Sequence, residues 1–334
     1  MATSAGIGAT GFVGVAFETV KGTYVAPYAH VPVLSESLKY TEDKYYSQQL
    51  RQQVIDSQVT PGYYHIAGDL EMEVDVHFLP YFLYASRHTC LKAGAGPYTY
   101  DYTPLTDGAT STNAGTTLPK TLSITCVRNG EVFGYTGCTV GQYSFTVDGG
   151  VLKVTMSIIG EQEATHALPV PVWLEADLLG ADSHNVFIGT SGAAPTWGAA
   201  EAGFNGFTFM VNHNAEPQNR IVANRGASFV KFGKTDLEVD SELDFLTRVD
   251  YDKMVNSSTA AFKLESTVGG AAYNGTVPGI SLQANRCAYD TFDINVSSID
   301  AIIMGGFKGH GLAVVGGDAY KIKVCSPTNV GVTT

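Results

Sequence analysis

The sequence lacks the run of about 20 apolar residues that a membrane-spanning helix needs, and its N-terminus lacks the basic and apolar segments of a signal peptide. Charged residues are scarce, at 16%, and the 20 lysines and arginines are outnumbered by 32 aspartates and glutamates. The net charge of −12 argues against a surface that grips phosphates, because nucleic-acid binders carry clustered basic residues. We therefore expect neither membrane insertion nor specific nucleic-acid binding.

The five cysteines are odd in number and widely spaced, and no C-x-x-C motif occurs. This pattern predicts buried, reduced thiols in a reducing compartment. The N-x-S/T triplets that begin at Asn256, Asn274 and Asn295 are chance matches if the chain is not secreted. Serine hydrolase, zincin and P-loop motifs are also missing, so we predict that the protein is not an enzyme.

The composition is rich in β-forming and turn-forming residues, with 18 Tyr and 37 Gly in 334 residues. It favours a mainly β protein that hides part of its surface in an assembly. The length allows two domains of ordinary size. Both halves, divided at residue 168, carry a net charge of −6, so the acidity is shared between them.

The most informative stretch is Gly68–His77, in which carboxylates alternate with apolar residues. A period of two places Asp69, Glu71, Glu73 and Asp75 on one face of a strand and the apolar side chains on the other. Like charges at alternate positions disfavour pairing unless their face meets water. We therefore expect a half-buried strand with a solvated acidic face.

The same pattern returns 165 positions later at Gly233–Asp240, where Asp236, Glu238 and Asp240 alternate with apolar residues. A short helix is expected after each strand, over 78–85 with Pro80 in its first turn and from Ser241 to about Val255. A repeated strand and helix predict an internal duplication. The proposed domains are 1–168, with an N-terminal arm, and 169–334.

Turn signals place several further strands. Asn129-Gly130 and Asp148-Gly149-Gly150 each predict a hairpin, the first between 121–127 and 131–135 and the second between 139–147 and 151–159. In the second half we expect strands near 280–284, 289–297, 301–304 and 319–324. Residues 39–64, rich in tyrosine, and 92–117 are predicted to be long loops, the first serving as a contact arm in an assembly.

Three apparent sites are weak. The run Gly6 to Gly14 matches a dinucleotide fingerprint but has neither a strand before it nor a helical sequence after it. His65 and His77, even with Asp75, lack a third ligand at a recognisable spacing, so no metal is expected. Glu71 and Glu73 occupy equivalent positions on one wet face, which does not separate their pKa values as acid and base catalysis requires. No cofactor is expected either.

One set of residues carries a family resemblance. The motif Glu18-Thr19-x-x-Gly22-Thr23, then Pro32-Val33 and Ser35-Glu36-Ser37-Leu38, then the acidic strand and its helix resemble the tail tube (major tail) proteins of long-tailed bacteriophages. The resemblance covers most of residues 12–160 in order. It implies tandem tail-tube-type β-sandwich or barrel domains, each with a short flanking helix.

The resemblance implies a structural, virion-tail protein that is assembled in the host cytoplasm. Six such domains close into a ring and rings stack into a tube, so a two-domain chain would form homotrimers with pseudo-sixfold symmetry. Double-stranded DNA would pass through without specific binding, and tape-measure, tail terminator and distal tail proteins would be partners. The residues expected to face the lumen are Glu71, Glu73, Asp75, Asp236, Glu238 and Asp240.

Other assignments remain open on the sequence alone. A pyocin or type VI secretion tube, or a capsid decoration protein, would share the β-rich composition. A carbohydrate-binding β-sandwich would need exposed aromatic residues over a groove, which the tyrosines of 40–64 could supply.

Overall fold

The computed structural model describes residues 11–47, 55, 58–105, 120–148, 150–174, 177–201, 203–220, 225–244, 249–295 and 304–331. The protein is mainly β, which confirms the predicted fold class. The first half contains β1 (Phe12–Phe17), β2 (Ala29–Val31), β3 (Ser35–Glu36), β4 (Lys39–Tyr46), β5 (Val59–Glu73), α1 (Leu79–Tyr84), β6 (His88–Ala93), β7 (Tyr98–Pro104), β8 (Leu122–Arg128), β9 (Glu131–Asp148), β10 (Val151–Gly160) and β11 (Gln162–Thr165).

The second half has a similar succession of elements. It contains β12 (His184–Thr190), β13 (Phe204–Asn212), β14 (Glu216–Gln218), β15 (Phe229–Lys231), β16 (Asp236–Asp244), α2 (Val249–Val255), β17 (Thr259–Thr267), β18 (Gly279–Asn295), β19 (Met304–Gly311) and β20 (Tyr320–Ser326). No helix in the described part of the chain is both long and apolar enough to cross a membrane.

One continuous antiparallel layer runs through both halves in the strand order β4, β5, β10, β9, β13, β16, β19, β18. We call this layer the long sheet. The short strand β3 pairs with β5 beside β4. The halves are joined edge to edge within the sheet, where β9 pairs with β13.

Each half adds a second layer that starts from its longest strand. In the first half β9 also pairs with β8 and β11, and β8 pairs with β1. In the second half β18 also pairs with β17 and β20, and β17 pairs with β12. The hairpin of β6 and β7 departs from this correspondence, because β7 pairs with β20 of the other half.

The core lies between the layers and follows from strand alternation. On β10, for example, Leu152, Val154, Met156 and Ile158 are buried while the residues between them are not. Helix α1 closes the first half, and all six of its residues are buried. Its position agrees with the prediction, including Pro80 in the first turn. Apolar burial of this kind is the main stabilising contribution to the fold.

The predicted hairpins are confirmed. Asn129 and Gly130 both have positive φ, 52° and 81°, as a two-residue turn between β8 and β9 requires. β9 and β10 form the second hairpin, although β9 is one continuous strand from Glu131 to Asp148. Likewise the two strands expected near 280–284 and 289–297 are one strand, β18.

Two predicted loops are wrong. In the predicted loop 39–64, β4 pairs antiparallel with β5 from Lys39↔Ala67 to Tyr46↔Val59. Residues 48–54 and 56–57 lie outside the described part. In the predicted loop 92–117, β7 alternates tyrosine with threonine or aspartate and pairs with β6 and β20. Residues 106–119 lie outside the described part. These tyrosine-rich segments lack a clear alternation of apolar and polar residues, and they form strands because they pair with neighbouring strands.

The predicted second helix begins too early. Ser241 to Asp244 continue β16, because all four pair with β19 and the first three also pair with β13. Helix α2 starts only at Val249. The strand expected at 301–304 is β19, which runs from Met304 to Gly311; residues 301–303 lie outside the described part. Of the predicted N-terminal arm, 1–10 also lie outside it, and β1 pairs with β8 of the same chain.

Candidate functional site

The first acidic strand is half-buried as its alternation predicts. Leu70 and Met72 on β5 are at most 1% exposed, whereas Glu71 and Glu73 are partly exposed and Asp69 is exposed. Ser157 donates a hydrogen bond from Oγ to Oδ1 of Asp69 at 2.6 Å. The carboxylates therefore lie on the face of the long sheet that points away from the core.

The second acidic strand, β16, has the same organisation. Leu237 and Val239 are buried, and Asp236, Glu238 and Asp240 between them are partly exposed. Asp236 accepts a hydrogen bond from the side-chain amide of Asn214 at 2.8 Å. The period of two thus holds in both strands.

The strand register places both sets of carboxylates on the same face. Residues directly opposite each other in antiparallel strands share a face, so a row of partners can be followed across the sheet. One such row is Glu71, Thr155, Ser144, Met210 and Glu238, on β5, β10, β9, β13 and β16. Four strand spacings separate its two glutamates by about 19 Å. We call this side of the long sheet the acidic face.

Asp75 is an exception, and the expectation of a solvated carboxylate is wrong for this residue. The strand ends at Glu73, and Asp75 is only 1% exposed. Its Oδ1 accepts the backbone N–H of His77 at 2.9 Å, and its backbone carbonyl accepts those of Phe78 and Leu79 at the start of α1. Burial raises the pKa of the Asp75 carboxyl. Asp75 therefore serves the strand-to-helix turn.

Sequence reasoning also missed carboxylates at the end of β16. Glu242 and Asp244 continue the alternation, and Glu242 lies opposite Gly206 of β13. Glu242 is exposed, and Asp244 accepts a hydrogen bond from Asn205 Nδ2 at 3.0 Å. The alternating pattern itself extends this far, although the sequence predicts a helix from Ser241 onwards.

Lysines moderate the charge of the acidic face, among them Lys39 opposite Ala67 and Lys234, whose Nζ lies 3.6 Å from Asp236. Lys153 on β10 lies opposite Glu73, and Lys308 on β19 lies opposite Asp240. Lys308 Nζ forms an ion pair with Glu238 at 3.0 Å, and this hydrogen bond raises the pKa of the lysine. Burial raises the pKa of Asp240, against the lowering effect of Lys308. The face remains acidic because the carboxylates of β5 and β16 outnumber these amines.

The other apparent sites have structural roles. His77 contacts Asp177 at 3.2 Å and Thr328 at 2.5 Å. Among the described residues no cluster of three His, Cys, Asp or Glu side chains could hold a metal ion. The glycine run at 6–14 leads into strand β1 rather than a helix; its first residues lie outside the described part.

The Glu18 motif now has a physical explanation. Glu18 is 2% exposed and accepts hydrogen bonds from Gly22 N at 2.7 Å, Thr121 Oγ1 at 2.6 Å, Ser123 Oγ at 3.1 Å and Gly137 N at 2.8 Å. Gly22 has φ 74°, which favours glycine. The motif thus attaches the turn that follows β1 to the neighbouring strands β8 and β9.

Comparison with known families agrees with the resemblance noted above. A comparison with curated proteins returned no match. The sequence profile described as phage tail tube protein matches residues 8–303, which is most of the chain and includes both acidic strands. With its β-rich fold and this match, the chain belongs to the phage tail tube protein family and is a structural protein of the virion tail.

Proposed function

We propose that three copies of this chain close into a ring with pseudo-sixfold symmetry, that rings stack into the tail tube, and that the acidic face lines its bore. The observation that carries the proposal is the long sheet. Each half contributes four of its eight strands in a matching order: β4, β5, β10, β9 and then β13, β16, β19, β18. This supports the proposed duplication, with domains over 1–168 and 169–334.

The dimensions of such a ring suit a DNA conduit. Three chains that each contribute the eight strands of the long sheet give 24 strands, and a spacing of about 4.8 Å gives a backbone diameter near 40 Å, or more if the strands are tilted. After side chains are allowed for, this leaves room for a duplex. Closing the sheet also removes two strand edges that would otherwise promote aggregation.

The charge of the acidic face suits passage without binding. Carboxylates along the bore would repel DNA phosphates and prevent the tight, salt-dependent contacts that basic residues make. The lumen-facing set comprises Glu71, Glu73, Asp236, Glu238 and Asp240, joined by Asp69, Glu242 and Asp244. Asp75 is left out because it is buried. DNA delivery into the host cell would follow without a catalytic residue, so we assign the chain no enzymatic role.

The other parts of the proposal come from family membership. A tail tube protein would be assembled in the host cytoplasm and would meet tape-measure, tail terminator and distal tail proteins at the inside and the ends of the tube. No cofactor is proposed. Electron microscopy of the purified protein tests the assembly directly: tubes or three-chain rings are expected, and a protein that stays monomeric under all assembly conditions would refute it.

A second experiment tests the role of the charge. Replacing Glu71, Glu73, Asp236 and Glu238 together by lysine should slow or stall genome release while tubes still assemble. A matched variant replaces four exposed carboxylates outside the acidic face, Glu131, Asp182, Glu201 and Glu216, by lysine. Both variants change the net charge equally. Equal infectivity of the two variants would contradict an acidic bore.

A further inference from the structure

The junction between the halves is a seam whose register can be read from the structure. β9 and β13 pair antiparallel over six positions, from Gln142↔Asn212 to Val147↔Phe207. Tyr143 and Val211 are opposite each other on the core side and fully buried. Ser144 and Met210 are opposite each other on the acidic face. This seam joins the fourth strand of one half to the first strand of the other.

A shared irregularity gives the correspondence between the halves. On β9 one residue, Gly141, has no partner on β10, and the pair that follows it along β9 is Gln142↔Ser157. On β18 one residue, Asp290, has no partner on β19, and the pair that follows it along β18 is Thr291↔Lys308. Both bulges lie on the first strand of their hairpin, β9 in the first half and β18 in the second. The row Asp69, Ser157, Gln142 therefore corresponds to the row Asp240, Lys308, Thr291.

This correspondence can be extended residue by residue. Because Asp69 corresponds to Asp240, each position in β5 corresponds to the position in β16 that is 171 residues later. The sequence pattern alone suggests an offset of 165 residues. Ala67 then maps onto Glu238, and their partners Lys39 and Met210 map onto each other by the same 171. On the other strand, Ser144 maps onto Asp293, 149 positions later, as Gln142 maps onto Thr291.

The two outer edges of the long sheet correspond to the two strands of this internal seam. Within the described residues, β4 pairs only with β5, and β18 beyond Tyr289 pairs only with β19. Ile294 is 37% exposed, whereas its counterpart Phe145 is fully buried; Tyr40 is 41% exposed, whereas its counterpart Val211 is fully buried. Each edge thus leaves open a side chain that the internal seam covers.

We infer that β18 of one chain pairs antiparallel with β4 of the next copy in the register of the internal seam, placing Lys39 opposite Asp293, Tyr40 opposite Phe292 and Thr41 opposite Thr291. This inference rests on the proposed ring and adds its residue-level contacts. Opposite charges and paired aromatic residues at directly facing positions stabilise an antiparallel pair. A shift of two residues would lose both matches.

The charged pair also distinguishes the two kinds of seam. The internal seam, which never has to open, has the neutral pair Ser144 and Met210 at the position where the seam between chains has Asp293 and Lys39. A Lys–Asp pair adds register specificity, because a shifted register would leave both charges without their partner. Pairing of β18 with β4 of a second copy is a head-to-tail contact, and such contacts form a ring when the rotation from copy to copy closes.

Cysteine cross-linking tests the register. Lys39→Cys combined with Asp293→Cys should form covalent dimers and trimers when assembled tubes are oxidised, because directly opposite positions bring Cβ atoms within disulfide range. The five native cysteines are buried and should contribute little background. Ser144→Cys with Met210→Cys is the positive control, forming a link within one chain. Lys39→Cys with Asn295→Cys represents a two-residue shift and should not link.

Charge exchange provides an independent measurement. Lys39→Asp should reduce the assembled fraction by about tenfold, since a like-charge pair would recur at each of three seams in a ring. Adding Asp293→Lys to that variant should restore assembly to near the original level. A general loss of folding would not be rescued in this way.

The outcomes separate the inference from the proposed function. Tubes that cross-link through Lys39→Cys and Asn295→Cys instead, or a charge exchange that does not restore assembly, would overturn the register and leave the tube intact. If the unmodified protein forms no ring or tube, the proposed function fails and the seam fails with it. Cross-linking at Lys39→Cys and Asp293→Cys in tubes supports both.

Discussion

Acidification should weaken this fold through His88, a fully buried histidine at the meeting point of the two halves. Its Nδ1 lies 3.1 Å from the carbonyl of Leu83, so this nitrogen carries the proton and donates it. Its Nε2 lies 2.9 Å from the hydroxyl of Tyr143 and 3.1 Å from that of Tyr320, and its lone pair accepts a hydrogen bond from one of these hydroxyls. The neutral ring therefore satisfies the network, and burial disfavours the charged ring because it is removed from water.

The pKa of His88 is lowered by this burial to about 4, and burial also lowers the pKa of His213, whose ring is 5.4 Å away. Above the unfolded value of 6.5, His88 is neutral in both states and stability does not depend on its titration. As pH falls below 6.5, only the unfolded chain takes up the proton, so stability falls until pH reaches the folded value. At pH 4.5 the loss from His88 is about 2.5 kcal/mol.

Denaturant unfolding at pH 7 and pH 4.5 measures this loss. His88→Gln keeps a donor and an acceptor but does not titrate, so its stability should fall by about 2.5 kcal/mol less than that of the unmodified protein over this range. His65→Gln, at a partly exposed histidine, is the matched control and corrects for carboxylates that titrate in the same interval. If both variants lose the same amount, the reasoning about His88 is refuted.

Three further predictions concern the fold. Glu18→Ala should destabilise the protein by about 3 kcal/mol or more, because four donors lose a buried carboxylate, whereas exposed Glu131→Ala should change the free energy of unfolding by less than about 0.5 kcal/mol. Gly68→Ala should lower the free energy of unfolding by about 2 kcal/mol, because an added Cβ at φ +159° would lie 2.5 Å from the carbonyl oxygen of Ser37. Gly306→Ala is the control, since a Cβ there would have no atom within 4 Å. Equal effects of the two variants on denaturant unfolding would contradict the clash. The five buried thiols should resist an aromatic disulfide reagent at pH 8 until the protein is denatured, because burial raises the pKa of Cys90 and Cys287 to about 12; rapid labelling of the folded protein would disprove this.

The amino-acid sequence determined the local features of this protein. Alternation on β5 and β16 predicted which side chains are buried, and Asn129-Gly130 predicted a hairpin, because strand period and turn geometry depend on neighbouring residues alone. The motif at Glu18 and the first acidic strand carried the family resemblance. The same local rules failed at Asp75, because β5 ends at Glu73 and the chain turns towards α1. They also failed at Ser241, where the predicted helix is still part of strand β16.

Only the tertiary structure decided which strands meet. That the two acidic strands share one face depends on β9 pairing with β13, a contact between residues about 65 positions apart for which the sequence carries no periodic signal. The correspondence of 171 rather than 165 residues likewise depends on a bulge and on cross-strand partners. Register is set by packing across the whole sheet, so an acidic pattern in one strand cannot specify its neighbour in space.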